Sequence, residues 1–379
     1  MKQLIKNMLC IALVLALLLA TVGCGSDSSS TDNSGTSDAT ATEGDGVDET
    51  EEPVEVEEPE PTLAYNYLTG EHDLPLERVG KRPFAVSVNN NYIGWPQKGI
   101  SKADIVLEIE TEGGITRLMC IFSDVSDAGY IGPIRSLRHQ FVEAMYQWNP
   151  VITHIGTSDY CNNFLRNHGI STLNGFYTES FLYFDSERNK TYGSEHCKFT
   201  SAELLPEGLE SLDIDDNLDE EMAPAFNFVE EGEEVTPSGG DAASFTFDFS
   251  GYYDGTFLYN SDDGLYYKYQ DGQKQVDAGN GNAQLAFDNV ILLFANVYGI
   301  ANTELVDVDY SAGGEGYYFS RGRYEKITWQ KGDLYDDFVF NTEDGSELTL
   351  NTGKSYLAVI RNYFDDTLTF DVDVEEADA

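Results

Sequence analysis

The apolar residues of this chain are distributed unevenly, and that distribution limits which parts of it can fold. An unbroken apolar run extends over residues 8–20, and Lys2 and Lys6 precede it. The segment 24–62 is rich in acidic residues, Ser, Thr, Gly and Pro, and it holds no Lys or Arg. Such a segment buries too little apolar surface to offset the entropy that it loses on ordering. We therefore expect residues 24–62 to be a disordered acidic tether.

The first 23 residues have the features of a bacterial export signal. The apolar run is too short for the ~20 residues that span a bilayer, and a basic region precedes it. It is followed by Thr21-Val22-Gly23-Cys24, which resembles a lipobox. The resemblance implies cleavage before Cys24 and attachment of lipid, including palmitate, to that cysteine. We therefore expect residues 1–23 to be a lipoprotein signal peptide. The mature chain is then anchored in the membrane through Cys24, at the outer face of the cytoplasmic membrane.

The charge balance limits the partners of the chain. Asp and Glu total 67 and Lys and Arg total 22, so the formal charge is −45 at pH 7. Binding to a phosphate backbone requires a basic surface, so we expect no nucleic-acid partner. Disorder throughout is excluded, because 41% hydrophobic and 12% aromatic residues are enough to build a core. A chain of 379 residues suits two folded domains.

Residues 63–212 alternate between strand-like and helix-like patterns. The predicted strands are Phe84–Val88, Ile105–Ile109, Leu118–Phe122 and Val151–Ile155. Two predicted helices begin at Ser136 and Ser158, which we expect to act as N-caps, and the second ends at Gly169. Strands that alternate with helices predict an α/β (α+β) domain with a mixed sheet.

The rest of the chain is predicted to contain little helix. Residues 213–243 are acidic and contain Gly, Ser and Pro, which predicts a linker or a surface excursion. Residues 244–373 are rich in Tyr, Phe, Val and Gly. Turn pairs such as Asp263-Gly264 and Asp344-Gly345 separate their strand-like runs. We therefore expect residues 244–373 to form a mainly antiparallel β domain.

The motif Gly132-Pro133-Ile134-Arg135-Ser136-Leu137-Arg138 places two arginines at a predicted helix start. A helix N-terminus has unpaired N–H groups and a partial positive charge, and a guanidinium group suits a carboxylate or a phosphate. The candidate ligands of an anionic group are therefore Arg117, Arg135, Ser136 and Arg138. The alternative is that these arginines pair inside the fold with the glutamates of residues 108–112.

Glu108, Glu110 and Glu112 alternate along the chain, so their side chains are expected on one face of a strand. Like charges at a spacing of ~7 Å are unfavourable unless cations or water offset them. Three interpretations stay open: a solvated strand face, pairing with arginines, and a metal or acid–base site.

Two histidines are further candidates for a site. His154 ends a predicted strand, and His196 lies between Glu195 and Cys197. Each is either a base or ligand contact, or an imidazole whose hydrogen bonds are satisfied within the fold. No nucleotide-binding or zinc-ligand spacing occurs, so the motifs predict neither a cofactor nor a metal.

Several motifs resemble those of the YerB-like bacterial lipoproteins. They are Arg82-Pro83-Phe84-Ala85-Val86, Gly99-Ile100-Ser101-Lys102-Ala103-Asp104, Glu112-Gly113-Gly114-Ile115-Thr116-Arg117, the 131–138 segment, Gly316-Tyr317-Tyr318-Phe319, Ile327-Thr328-Trp329-Gln330-Lys331 and Leu348-Thr349-Leu350-Asn351-Thr352-Gly353-Lys354. The resemblance covers nearly all of residues 66–362. It implies a lipid-anchored, extracytoplasmic protein in two parts, whose function is largely unassigned.

Two functions follow from these features. The first is a binding or accessory module at the cell envelope, which holds an anionic wall-derived ligand or an envelope protein at Arg135 and Arg138. The second is a cell-envelope hydrolase or transferase, with Glu108 or Glu112 as the general acid–base and His154 assisting. Whether the chain is an enzyme stays open at this point. The second function requires its residues to line one cleft.

Overall fold

The structure is a computed structural model that describes residues 62–374. The predicted signal peptide, Cys24 and all of the predicted tether except Thr62 lie outside the described residues. Within residues 62–374, the helices are all too short or too polar to cross a membrane.

The N-terminal region combines strands with short helices. Its strands are β1 (Leu63–Ala64), β2 (Leu74–Pro75), β3 (Phe84–Asn89), β4 (Ile105–Glu110), β5 (Thr116–Phe122), β6 (Val151–His154), β7 (Leu173–Asn174), β8 (Tyr183–Phe184) and β9 (Lys198–Phe199). Its helices are α1 (His139–Met145), α2 (Asp159–His168), α3 (Asn189–Tyr192) and α4 (Leu205–Leu212). The four central strands that the apolar patterns predict are therefore confirmed.

The C-terminal region consists of strands and short 3₁₀ turns. Its strands are β10 (Gly240–Asp241), β11 (Ser244–Asp248), β12 (Asp254–Asn260), β13 (Leu265–Gln270), β14 (Gln273–Lys274), β15 (Val276–Asp277), β16 (Ala283–Gln284), β17 (Ala286–Phe287), β18 (Asn289–Gly299), β19 (Val306–Asp309), β20 (Gly314–Ser320), β21 (Arg323–Lys331), β22 (Phe338–Thr342), β23 (Ser355–Arg361) and β24 (Thr369–Phe370). Tyr, Phe, Val and Ile supply most of its buried apolar positions, as suits a pleated, half-buried surface.

The largest sheet has twelve strands and draws on both regions. Its order is β10-β21-β20-β18-β23-β4-β5-β3-β6-β7, with β19 paired to β18 and β22 paired to β21. β23 lies parallel to β4, with Ser355 beside Ile105, and this pairing joins the two regions into one sheet. The domain boundaries expected from composition stay a prediction.

A second, six-stranded antiparallel sheet covers one face of the large sheet. Its order is β14-β13-β12-β11-β24, with β17 paired to β13. Aromatic rings pack between the sheets: the ring centroids of Phe245 and Phe319 lie 3.7 Å apart, and those of Phe257 and Tyr356 lie 5.0 Å apart. The predicted fold class is confirmed, since a mixed sheet is followed by mainly antiparallel pairing.

The large sheet has a core on each face. Ile105, Leu107 and Ile109 of β4 point into a core with α1 and α2, whereas Val106 points toward the smaller sheet. The side chains of a strand alternate between faces, so both sets are buried when both faces are covered. For this reason Glu108 and Glu110 are buried too, and the interpretation of a solvated strand face is wrong.

The first helix begins later than its sequence predicts. α1 starts at His139, its N-cap is Arg138, and no side chain caps it, so the predicted cap at Ser136 is wrong. Residues 131–137 are extended instead, because Ile134 bridges to Val88 and Leu137 bridges to Thr157. No helix begins at Arg135 or Ser136, so the anion-binding helix N-terminus expected there is absent.

The second helix follows its prediction closely. The Ser158 hydroxyl accepts a hydrogen bond from the Cys161 N–H at 3.1 Å, and the helix ends at Gly169 in the left-handed conformation with φ 67°. Both signals are local, which is why they could be predicted.

The acidic segment 213–243 contributes to the core as well as to the surface. Ala225 and Phe226 are buried, and the Phe226 ring lies 5.9 Å from the Trp148 ring. Phe228 bridges to Leu350. Part of this segment therefore closes the core face that carries α1.

Candidate functional site

The arginines singled out in the sequence are held by carboxylates of the same chain. Glu112 lies in a turn after β4 and accepts a hydrogen bond from Arg138 Nε at 2.8 Å and a second from Arg138 Nη2. Arg117 Nη2 lies 3.5 Å from the same carboxylate, and its Nη1 donates to the carbonyl oxygen of Ser136. The structure thus brings Arg117, Ser136, Arg138 and Glu112 together.

Arg135 has a weaker attachment. Its Nη1 donates to Glu195 Oε2 at 2.7 Å, but the Glu195 side chain is 67% exposed. Its Nε is buried and has no hydrogen-bond partner among residues 62–374. His196 lies beside this pair, with its Nδ1 3.3 Å from Asn89 Nδ2. Arg135 is therefore the arginine of this group that can exchange its partner most easily.

The cluster has a local excess of positive charge. Arg117 is 2% exposed, and burial, together with the charge of Arg138, lowers its pKa to about 9. Burial raises the pKa of Glu112, but the hydrogen bond and charges of the arginines outweigh it and lower that pKa to about 2. Three guanidinium groups thus face the carboxylates of Glu112 and Glu195.

Glu108 is sealed between the two sheets. Its carboxylate accepts hydrogen bonds from Thr116 (2.7 Å), Asn90 (2.9 Å) and Tyr356 (2.6 Å), and Lys268 Nζ lies 3.1 Å away. Glu108 and Lys268 are both fully buried. A carboxylate whose lone pairs are all engaged, and which no solvent reaches, is placed for structure and not for proton transfer.

The other residues of the catalytic hypothesis are also engaged. His154 is fully buried, with Nδ1 2.8 Å from the Gly156 carbonyl oxygen and Nε2 2.9 Å from Thr172 Oγ1. Burial lowers the pKa of His154 to about 4. Within the described part of the chain, no hydrogen bond or ion pair joins Glu108, Glu112 and His154 to one another.

Glu110 pairs with an arginine from the far end of the chain, which no local sequence pattern indicates. Its carboxylate accepts from Arg361 Nη2 at 2.8 Å and from Arg361 Nε, and the two residues lie 251 positions apart. The glutamates at 108, 110 and 112 therefore each have their own cation. This outcome corresponds to internal pairing, although two of the four cations, Lys268 and Arg361, come from the C-terminal region.

A cleft of about 360 Å³ lies away from these residues, and sequence reasoning missed it. Its lining includes Glu143, Phe164, Tyr298, Asp307, Asp309 and Lys331. α1 places His139 and Glu143 one turn apart, and β19 places Asp307 opposite them. One potential metal-ligand atom from each of these three residues lies within 4.8 Å of the others.

Hydrogen bonds hold Asp307 in position. Its Oδ1 lies 2.8 Å from His139 Nε2 and accepts from the Val308 N–H at 2.9 Å, and its Oδ2 accepts from the Tyr298 hydroxyl at 3.0 Å. Glu143 has neither a hydrogen bond nor an ion pair within residues 62–374. Burial, together with the Asp307 charge, raises the pKa of Glu143 to about 7.

Only part of this cluster left a signal in the sequence. His139 and Glu143 are four residues apart in a segment predicted to be helical, which places them on one face. Asp307 lies 168 positions after His139. Only the packing of β19 against α1 brings it to them.

The fold and these sites define a β-rich protein of two packed sheets, with an arginine cluster and an acidic cleft. Residues 68–215 match the N-terminal domain of a protein of unknown function (DUF3048), and residues 245–357 match its C-terminal domain. The chain belongs to this family.

Two comparisons agree with the family assignment. The chain is 25% identical over 281 residues to the "Putative lipoprotein YerB" of Bacillus subtilis (strain 168), which covers 74% of this chain and 81% of that protein. The crystal structure of the YerB protein from Bacillus subtilis matches with a TM-score of 0.70 at 24% identity, over 81% of this chain and 99% of that chain. The resemblance to YerB-like proteins is thereby confirmed, and the match in structure confirms the fold.

Proposed function

We propose that this chain is a lipid-anchored accessory module at the outer face of the cytoplasmic membrane, and that it binds an anionic wall-derived group at Arg135. The anchor is supported by the lipobox-like sequence at Cys24 and by the name of the Bacillus subtilis relative. The binding site is supported by the arginine cluster. A wall-derived group here means a phosphate or a carboxylate of a cell-wall polymer.

The observation that carries the binding proposal is the incomplete pairing of Arg135. Its Nε has no partner among the described residues, and its carboxylate partner is 67% exposed. An exposed ion pair contributes little free energy, so an incoming anion displaces Glu195 at small cost. Arg117 and Arg138 stay fixed by Glu112 and add a positive potential, which favours an anion at this place.

Isothermal titration calorimetry with inorganic phosphate, and then with soluble wall fragments, tests this proposal. We expect Arg135→Ala to weaken phosphate binding at least tenfold. Glu195→Ala should strengthen it, because the competing carboxylate is gone. Arg166→Ala is the matched control, since Arg166 is an exposed arginine on α2, outside the cluster. Equal phosphate affinity in the Arg135→Ala and Arg166→Ala variants would show that the site is wrong.

The hydrolase or transferase hypothesis receives no support from the geometry. Glu108 and His154 are both fully buried and fully hydrogen-bonded. Glu112 is held by two arginines. A general acid–base needs access to its substrate at hydrogen-bond distance. We therefore propose binding and not catalysis for the residues that the sequence singled out.

A further inference from the structure

Glu143 and Asp307 line the cleft beside α1 and lie close to the buried His139, and the proposed function uses none of these three residues. His139, Glu143 and Asp307 offer an imidazole nitrogen and two carboxylate oxygens within 4.8 Å of one another. His139 is 2% exposed, and its Nδ1 has no hydrogen-bond partner within residues 62–374. A buried polar atom without a partner is rare in folded proteins and requires an explanation.

The two carboxylates of the cluster are also unusual. Glu143 faces Asp307, and in the described part of the chain no cation hydrogen-bonds to Glu143. Lys331 lines the same cleft, but its Nζ donates to the backbone carbonyl oxygens of Asp333 and Asp336. Two carboxylates close together in a partly buried place favour a bound cation of higher charge.

We propose that His139, Glu143 and Asp307 bind one divalent transition-metal cation, Zn²⁺ foremost, at the wall of this cleft. Imidazole together with carboxylates suits Zn²⁺ and disfavours Ca²⁺ and Mg²⁺, which prefer oxygen ligands alone. Three protein ligands with an open fourth position are typical of accessible zinc sites. The cleft of about 360 Å³ leaves room for a water molecule or a small ligand at that position.

The hydrogen bonds to the Asp307 carboxylate suit a metal ligand. Ligand atoms around Zn²⁺ lie about 3 to 3.5 Å apart, so the cluster needs side-chain movements on the order of 1 Å to close. The hydroxyl of Tyr298 and the N–H of Val308 hold the Asp307 carboxylate by hydrogen bonds of 3.0 and 2.9 Å. Outer hydrogen bonds of this kind orient metal ligands. Tyr298 is thus a positioning residue.

The competing explanation is a structural hydrogen bond between His139 and Asp307, with no metal. The two explanations differ at Glu143, because the 2.8 Å bond between His139 and Asp307 does not involve that residue. Glu143→Gln keeps the shape of the side chain and removes its charge. It is therefore the variant that separates a metal site from a structural pair.

The experiment is a competition titration of Zn²⁺ on the purified full chain with a chromophoric chelator, followed by titration with Co²⁺. We expect one Zn²⁺ per chain with micromolar or tighter affinity. Glu143→Gln and Asp307→Asn should each weaken it at least tenfold, and Tyr298→Phe should weaken it less. The Co²⁺ spectrum should lack a sulfur-to-cobalt band, since the described cysteines Cys120, Cys161 and Cys197 are buried and lie outside the cluster.

Asp309→Asn is the matched control, because Asp309 lines the same cleft but is not in the cluster. It should leave the Zn²⁺ affinity within about twofold of the unmodified chain. Thermal melts confirm that each variant is folded, and Glu143→Gln alone decides the matter if Asp307→Asn unfolds. Weaker than micromolar binding, an unchanged affinity in Glu143→Gln, or an equal loss in Asp309→Asn would overturn the proposal.

Discussion

Two groups of buried or half-buried acidic residues in this protein differ in how their charge is compensated. Glu108 lies between the sheets, where Lys268 and three neutral donors engage its carboxylate. Glu143 and Asp307 lie at a cleft, and Glu143 has no such partner among the described residues. A carboxylate whose partners are all present stabilises the fold. One without such partners holds its charge less readily, as the raised pKa of Glu143 shows, and is available to a cation from outside the chain.

The same comparison applies to the arginines. Arg138 is held by two hydrogen bonds to Glu112 and is 11% exposed, whereas Arg135 is held by an exposed glutamate. Arg138 is therefore a structural residue, as Glu108 is, because its charge is fully paired within the fold. Arg135 is available to a ligand.

The largest loss of stability is expected at Glu108, whose charge is fully compensated within the fold. Glu108→Gln leaves Lys268 buried without a charge partner, and breaking a buried ion pair costs about 3 to 5 kcal/mol. Urea unfolding at pH 7 measures this loss. The control is Glu187→Gln on the exposed pair with Lys190, which should change the unfolding free energy by less than about 1 kcal/mol. A similar small change in both variants would contradict the structural role of Glu108.

The buried imidazole of His154 should make stability depend on pH. Its pKa in the folded protein is about 4, below the ordinary histidine value of 6.5, so between these pH values only the unfolded state binds the extra proton. Stability is therefore lost as the pH falls from about 6.5 toward 4, by about 3 kcal/mol in total. His154→Gln cannot take up this proton. Unfolding curves of both proteins from pH 7 to 4.5 should converge as the pH falls, and parallel curves would count against a neutral buried His154.

A smaller loss is expected at Glu112. Glu112→Gln removes the charge that holds Arg138 and Arg117, and hydrogen bonds to charged groups contribute about 1.5 to 3 kcal/mol each. Because the Glu112 side chain is 27% exposed, we expect a loss of about 2 kcal/mol in urea unfolding. A loss under about 0.5 kcal/mol, as expected for a solvent-exposed ion pair, would contradict this role of Glu112.

No loss of stability is expected at the cleft. The Glu143 carboxylate has no hydrogen bond or ion pair among residues 62–374, and burial raises its pKa, so its charge lowers the stability of the folded state at pH 7. Glu143→Gln should therefore raise the unfolding free energy at pH 7, measured in urea in the presence of a chelator. The same substitution thus has opposite consequences at positions 108 and 143. A loss of several kcal/mol at position 143 would remove the distinction between the two groups.

The elements that could be predicted are those that local patterns specify. The apolar alternation in Ile105–Ile109 predicts a strand, and Ser158 predicts a helix cap. Both signals lie within a few residues of the chain, and both predictions are confirmed. The start of α1 could not be predicted, because pairing with Val88 and Thr157 keeps residues 131–137 extended. Tertiary hydrogen bonds outweigh helix signals of that size.

The candidate sites also combine features that the sequence shows with features that only the structure shows. The sequence by itself determined the residue types: arginines after Gly132, glutamates along β4, and a histidine and a glutamate one turn apart on α1. Only the tertiary structure decided their partners, because Lys268, Arg361 and Asp307 reach them from the C-terminal region. The energy of a charge depends on its neighbours and its access to water, and both are set by contacts between segments far apart in the chain.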